Sequence, residues 1–268
     1  TQHSALAMKL RSLTASLWVP VNLGLLYLGG WEWLLWVAIL AIMATSEMLN
    51  LLVKAARPPL SWVGPSIVFV CIVGAWAMPA GSFFYLAGPL LLATLLLLLL
   101  SHAQKQAFER WGLTTAACLY TGFLLAYAIL LRDMPNGLWW MGAALTGTWV
   151  FDSGAWIVGT RIGHHKLWPA VSPGKSWEGT IGGLILAIGL SMATVVVLHL
   201  SYAQAAALGV LIAILAQLGD LVESVIKRQV GVKDTGSFLP GHGGILDRID
   251  GLLFSTVGVY YFAVLAGK

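Results

Sequence analysis

Asp220, Glu223 and Lys227 follow the apolar run LIAILAQLG at spacings i, i+3 and i+7, which sets two acids and a base on one helical face. An ion-pair stripe holding helices together would account for them, and so would a reactive site. The next segment favours the second reading. Residues 224–250 read SVIKRQVGVKDTGSFLPGHGGILDRID, so Lys227, Arg228, Lys233 and Arg248 are interleaved with Gly231, Gly236, Gly241, Gly243 and Gly244. Glycines let backbone N–H groups approach phosphate oxygens closely. Asp247 and Asp250 stand one helical turn apart at the start of a further apolar stretch. Carboxylates that hold a hard cation, beside Lys and Arg that neutralise phosphate, are what metal-assisted phosphate chemistry requires.

A second segment, 152–183, repeats that chemistry with other residues: DSGAWIVGTRIGHHKLWPAVSPGKSWEGTIGG. Its Pro173-Gly174-Lys175-Ser176 looks like part of a phosphate cradle, although the full P-loop spacing is absent. His164 and His165 are adjacent, a poor geometry for joint ligation, and read as interfacial loop residues. His242, inside the glycine-rich segment, reads as a phosphate contact. Glu47 and Asp152 are further acids within apolar runs, where a charge at the helix centre costs about 2.5–3.5 kcal/mol and points to function. Cys71 and Cys118 lie in apolar runs without metal-site spacing and read as packing residues. Most of the thirteen tryptophans fall near predicted span ends, as membrane-interface belts do. Trp177, between Lys175 and Glu178, is the one left open.

The elements that must position these residues are apolar helices. Of 268 residues, 59% are apolar and 10% charged, against about 25% charged in a soluble domain. This composition excludes a soluble enzyme and predicts an all-α, polytopic integral membrane protein. Reading between backbone breakers gives nine spans, near 13–28, 32–53, 63–79, 83–101, 112–131, 137–160, 179–200, 204–227 and 250–266. With the N-terminus cytoplasmic, thirteen Lys and Arg fall on the inner side and only Arg132 and Lys268 on the outer, as the positive-inside bias requires. The net charge of +4 is thereby explained without nucleic acid. The longest inner connections, 161–178 and 228–249, should carry the function. One membrane domain over 1–268 is expected, with N-terminal spans in 1–110 and catalytic spans in 111–268.

The sequence resembles the phosphatidate cytidylyltransferases, also called CDP-diacylglycerol synthases. Their pattern of Ser, any, apolar, Lys-Arg, four residues, Lys-Asp, then His-Gly-Gly, two residues, Asp-Arg, any, Asp is met here by Ser224, Lys227, Arg228, Lys233, Asp234, His242, Gly243, Gly244, Asp247, Arg248 and Asp250. Residues 152–179 also look like the family's DSGA…HK…SPxKxWEG stretch, with Ser176 where Thr is commoner. Residues 1–110 add only hydropathy.

The resemblance implies transfer of CMP from CTP to phosphatidate, giving CDP-diacylglycerol and pyrophosphate at the cytoplasmic face of the cell's inner membrane. It implies Mg²⁺, with Asp220 and Asp247 as ligands, Glu223 and Asp250 as their catalytic neighbours, and room for a second, monovalent ion. Substrate contacts are expected from Asp152, Lys175, Ser176, Glu178, Ser224, Lys227, Arg228, Lys233, His242, Gly243, Gly244 and Arg248. A homo-oligomer, in the first instance a dimer, is the expected assembly. A CTP-dependent polyprenol or phytol kinase is the nearest rival, opposed by the intact HGGxxDRxD run. An ion-coupled secondary transporter would place acids at the midplane of repeated halves, and no such repeat is visible.

Overall fold

The computed structural model describes residues 17–60, 63–78, 82–100, 105–236, 238 and 243–267. They are almost wholly helical, as the composition requires. In chain order the helices are α1 (Leu17–Leu28), α2 (Gly30–Lys54), α3 (Val63–Ala77), α4 (Ala87–Leu100), α5 (Ala107–Cys118), α6 (Leu124–Asp133), α7 (Gly137–Ile162), α8 (Trp177–Met192), α9 (Thr194–Leu198), α10 (Tyr202–Val230) and α11 (Leu246–Leu265). A single π-helical turn, Leu119–Phe123, joins α5 to α6. Among the described residues four helical stretches are long and apolar enough to cross a bilayer: Gly30–Lys54, Ala107–Asp133, Tyr202–Val230 and Leu246–Leu265. The stretches Leu17–Leu28, Val63–Ala77, Ala87–Leu100 and Trp177–Met192 are apolar but shorter.

One element departs from the all-α expectation. Within the 161–178 connection, β1 (Lys166–Trp168) and β2 (Ser172–Ser176) pair antiparallel, with Lys166 opposite Ser176 and Trp168 opposite Ser172. Pro173–Ser176 therefore lies in a strand, where it cannot wrap a phosphate as a P-loop does.

The chain packs as two compact units, one comprising residues up to Leu130 with Val230–Arg248, the other Leu131–Gln229 with Ile249–Lys268. In the first, α2, α3, α5 and the π turn form the core. Trp33 Nε1 donates to the Ala128 carbonyl at 3.0 Å, and the hydroxyls of Thr45 and Thr121 meet at 2.6 Å. Such buried polar pairs fix helix register because their alternative is unsatisfied dipoles in an apolar medium. In the second unit α7 and α8 pack closely through small residues. A Cβ on Gly183 would lie 2.6 Å from the Phe151 carbonyl oxygen, and one on Gly154 2.7 Å from Leu186. Glycines at these positions let the two backbones approach.

Candidate active site

Helix packing in the second unit gathers its acids. Gly219 on α10 abuts the backbone of Asp250 and Gly251 on α11, leaving no room for a side chain. Thr148 on α7 and Ser255 on α11 share a buried hydrogen bond of 2.8 Å. These contacts bring α7, α10 and α11 together, so that Glu223, Asp220 and Asp152 are the charges that bear on Asp250. Two lysines answer them. Lys175 Nζ lies 2.8 Å from Asp220 Oδ2, and Lys227 Nζ lies 2.6 Å from Glu223 Oε2. Ser224 donates to the other Asp220 oxygen at 3.2 Å. The Glu223 side chain is 1% exposed and that of Lys227 13%, so this pair is buried, with its geometry fixed by the i,i+4 spacing.

The hairpin delivers Lys175 to α10 and is itself held at both ends. Arg228 Nε donates to the Val171 carbonyl at 3.2 Å. Glu178 accepts from the His165 backbone N–H and meets its ring Nδ1 at 2.6 Å. That ring contact, reinforced by the backbone N–H groups of Glu178, His165 and His164, holds the Glu178 carboxyl down to about 2. Ser176 Oγ caps α8 by accepting from Gly179 N–H at 3.2 Å, the local bond a helix N-terminus favours. Thr180 Oγ1 donates to Gln217 Oε1 at 3.2 Å, and Gln217 Nε2 is buried without a partner. Gln217 lies one turn before Asp220 and was not singled out by its sequence context, since an amide inside an apolar run carries no charge signal.

The first unit holds the glycine-rich segment. Asp247 Oδ2 accepts from Thr235 N–H (2.9 Å) and Gly244 N–H (2.8 Å), and Thr235 Oγ1, whose one proton is shared between this carboxylate and that of Glu47, lies 2.9 Å away. Gly243 has φ +81°, a left-handed conformation, and a Cβ there would lie 2.8 Å from Asp247 Oδ2. Glycine is therefore needed at 243 for both conformation and space. Lys233 and Arg248 are exposed on this segment. His242 lies outside the described residues. Glu47, marked by its sequence only as an acid in an apolar span, is buried and bound to the same segment: Thr235 Oγ1, Ile245 N–H and Leu246 N–H donate to it at 2.9–3.0 Å.

Among the described residues no three His, Cys, Asp or Glu side chains converge as a ready-made metal cage. Carboxylates in this number still suit Mg²⁺, which is usually held through one or two of them plus substrate phosphates rather than by an all-protein cage.

The cytidylyltransferase family profile matches residues 9–266. The chain belongs to that family. It is 35% identical over 257 residues to a protein of Staphylococcus haemolyticus named phosphatidate cytidylyltransferase, covering 92% of this chain and 95% of the relative. Proteins of the same name from Bacillus subtilis and Staphylococcus aureus (strain COL) are 36% identical over 212 residues and 34% over 256. The Bacillus match covers 75% of this chain and 79% of that relative, and the Staphylococcus aureus match 92% and 95%. The family resemblance carried by 152–179 and 224–250 is thus borne out. It also reaches the N-terminal spans of this cytidylyltransferase family member, where hydropathy alone had spoken.

Proposed function

We propose that this protein transfers CMP from CTP to phosphatidate, forming CDP-diacylglycerol and releasing pyrophosphate. A phosphate oxygen of phosphatidate forms a bond to the α-phosphorus of CTP while the bond from that phosphorus to the β-phosphate oxygen breaks. The phosphatidate oxygen is already anionic at neutral pH, so a strong general base is unnecessary. The obstacle is repulsion between two anionic reactants, which a field of cations removes. The observation that carries the reading is Lys175 at 2.8 Å from Asp220, a phosphate-binding cation set against a carboxylate, in a member of this family.

Lys175 is assigned to the CTP phosphates, and Lys233 and Arg248, on the glycine-rich segment of the first unit, to phosphate binding there. Lys227 and Arg228, at the end of α10, are assigned to the phosphatidate headgroup. Asp220 is assigned to Mg²⁺ on account of its carboxylate neighbours, and Asp247 to cation binding on account of its fixed Oδ2. Mg²⁺ would supply charge neutralisation and polarisation of the phosphate oxygens. Glu223 and Asp250 are assigned to orienting Asp220, and Glu223 also holds Lys227. Nine crossings, a cytoplasmic N-terminus and a cytoplasmic active face complete the proposal, supported by the thirteen-to-two distribution of Lys and Arg. The test is direct. Purified protein is given labelled CTP, phosphatidate in mixed micelles and Mg²⁺, and cytidine is sought in the lipid fraction. Label that stays in the aqueous phase under all Mg²⁺ concentrations overturns the proposal.

A further inference from the structure

Helix α11 begins without a capping side chain of its own. Gly244 stands just before Ile245, whose carbonyl accepts from Arg248 N–H at 2.9 Å as the helix opens, and Asp247 reaches back to the Gly244 N–H at 2.8 Å, as the acidic member of a capping box does. The other half of the box needs a side-chain oxygen at Gly244 to accept from the first N–H groups of the helix. That place is filled from another helix. Glu47 Oε1 accepts from Ile245 N–H at 2.9 Å, and Glu47 Oε2 from Leu246 N–H at 2.9 Å. Oε2 also accepts from Thr235 Oγ1 at 3.0 Å, the hydroxyl that in turn contacts Asp247 Oδ2 at 2.9 Å. A carboxylate at a helix N-terminus further gains from the positive end of the macrodipole.

The glycines fit the same picture. Gly244 lies outside the left-handed region, so its backbone would accept an L side chain, but a Cβ there would collide with Glu47 Oε2 and Thr235 Oγ1. A Cβ on Gly236 would collide with Glu47 Oε1. The glycines keep space for a carboxylate that arrives from almost two hundred residues away.

We propose that Glu47 is the cap of α11 supplied from α2, and a positioning residue that sets the Asp247 carboxylate through Thr235 and the glycine-rich segment. The capping half stands on geometry alone, while the positioning half rests on the proposed cation role of Asp247.

The experiment uses the full chain in nanodiscs, as wild type, Glu47→Gln, Glu47→Ala, Gly244→Ser and Glu47→Ala with Gly244→Ser. Hydrogen exchange at the Ile245 and Leu246 amides and thermal unfolding require no substrate. Loss of a cap should speed that exchange by about 2- to 30-fold in Glu47→Ala, less in Glu47→Gln, which keeps the shape and one acceptor. Gly244→Ser alone should lower the unfolding temperature. Combined with Glu47→Ala it should restore protection, because the Thr235 hydroxyl, no longer held by Glu47, can turn aside and the vacated space admits a hydroxyl cap from the helix's own chain. Unchanged exchange in Glu47→Ala, or additive effects in the double variant, overturns the cap.

For positioning, the Mg²⁺ concentration giving half-maximal turnover should rise by about the same 2- to 30-fold in Glu47→Ala, more than kcat falls, and return toward wild type with Gly244→Ser. Faster exchange with an unmoved Mg²⁺ dependence leaves the cap standing and overturns the positioning role. Should the wild type make no cytidylyl lipid, the exchange and unfolding results still decide the cap independently.

Discussion

Lys175 Nζ and Asp220 Oδ2 are 2.8 Å apart, which ties the hairpin to α10 through an ion pair. An ammonium so placed is ready to exchange a carboxylate for a triphosphate arriving from water. Lys175→Ala should therefore raise the KM for CTP, by roughly 10- to 150-fold for a lost charged contact of about 1.5–3 kcal/mol. The phosphatidate dependence, measured as surface mole fraction, should change little. A change confined to kcat would place Lys175 on the transition state instead.

Asp220→Asn and Asp247→Asn should each remove most turnover, since a hard cation loses a charged ligand while the side-chain volume is kept. The two should differ in stability. Asp247 Oδ2 takes the N–H groups of Thr235 and Gly244, and a carboxamide nitrogen turned toward them would leave donors facing donors. Asp247→Asn should thus unfold more readily, by about 1–3 kcal/mol. Near-normal turnover by either variant at limiting Mg²⁺ would exclude that residue from cation binding.

Gly219→Ala tests the helix contact that gathers the acids. Its Cβ would meet the Asp250 carbonyl and lie 2.9 Å from Gly251 Cα, with backbone, not a flexible side chain, in the way. Overpacking of this kind costs about 1–3 kcal/mol. The variant should melt earlier in detergent and turn over more slowly, whereas Gly189→Ala, which meets nothing, should do neither. Equal behaviour of the two would mean that α10 and α11 tolerate separation.

Much of this arrangement was legible because charge in an apolar chain is conspicuous. Asp152, Asp220, Glu223 and Asp250 stood out from their surroundings, and the described parts of the expected spans are largely helical, although 179–200 is divided into α8 and α9. The hairpin was not legible: β1 has three residues, too few for alternation to register. Glu47 stood out as an acid, but its donors lie 188–199 residues away, and no local pattern carries such a pairing. Gly243 and Gly244 read alike in sequence, yet one answers a left-handed φ and the other the room needed by Glu47.

The clamp between His165 and Glu178 gives a pH prediction. The ordinary carboxyl value of 4.5 is depressed to about 2 in the folded protein. A depressed acid contributes stability that is fully present above about pH 4.5 and is lost as pH falls through about 2. The side-chain carboxyl carbon of Glu178, identified by its absence in Glu178→Gln, should still report the ionised form at pH 3.5 by NMR. His165→Ala should move its midpoint back toward the ordinary range. A wild-type midpoint near 4.5 would show that the ring contact does not persist in solution.

Sidedness is the remaining expectation, and the segment that bears the signature residues offers an exposed probe. Phe238 is 62% exposed, so Phe238→Cys in a Cys71→Ser, Cys118→Ser background presents one accessible thiol. With nine crossings and the N-terminus inside, impermeant thiol reagents should label it only from the cytoplasmic side. Asp133→Cys, at the exposed end of α6, should label only from the other. The two positions are separated in sequence by α7, the α8–α9 stretch and α10, an odd number of crossings. If both label from one face, one of those three stretches does not cross, and α8 with α9 is the first to suspect because Met192 ends the first helix short of a full span. Labelling of Phe238→Cys from the outside alone would invert the whole chain and set the basic segments on the wrong side for cytoplasmic CTP.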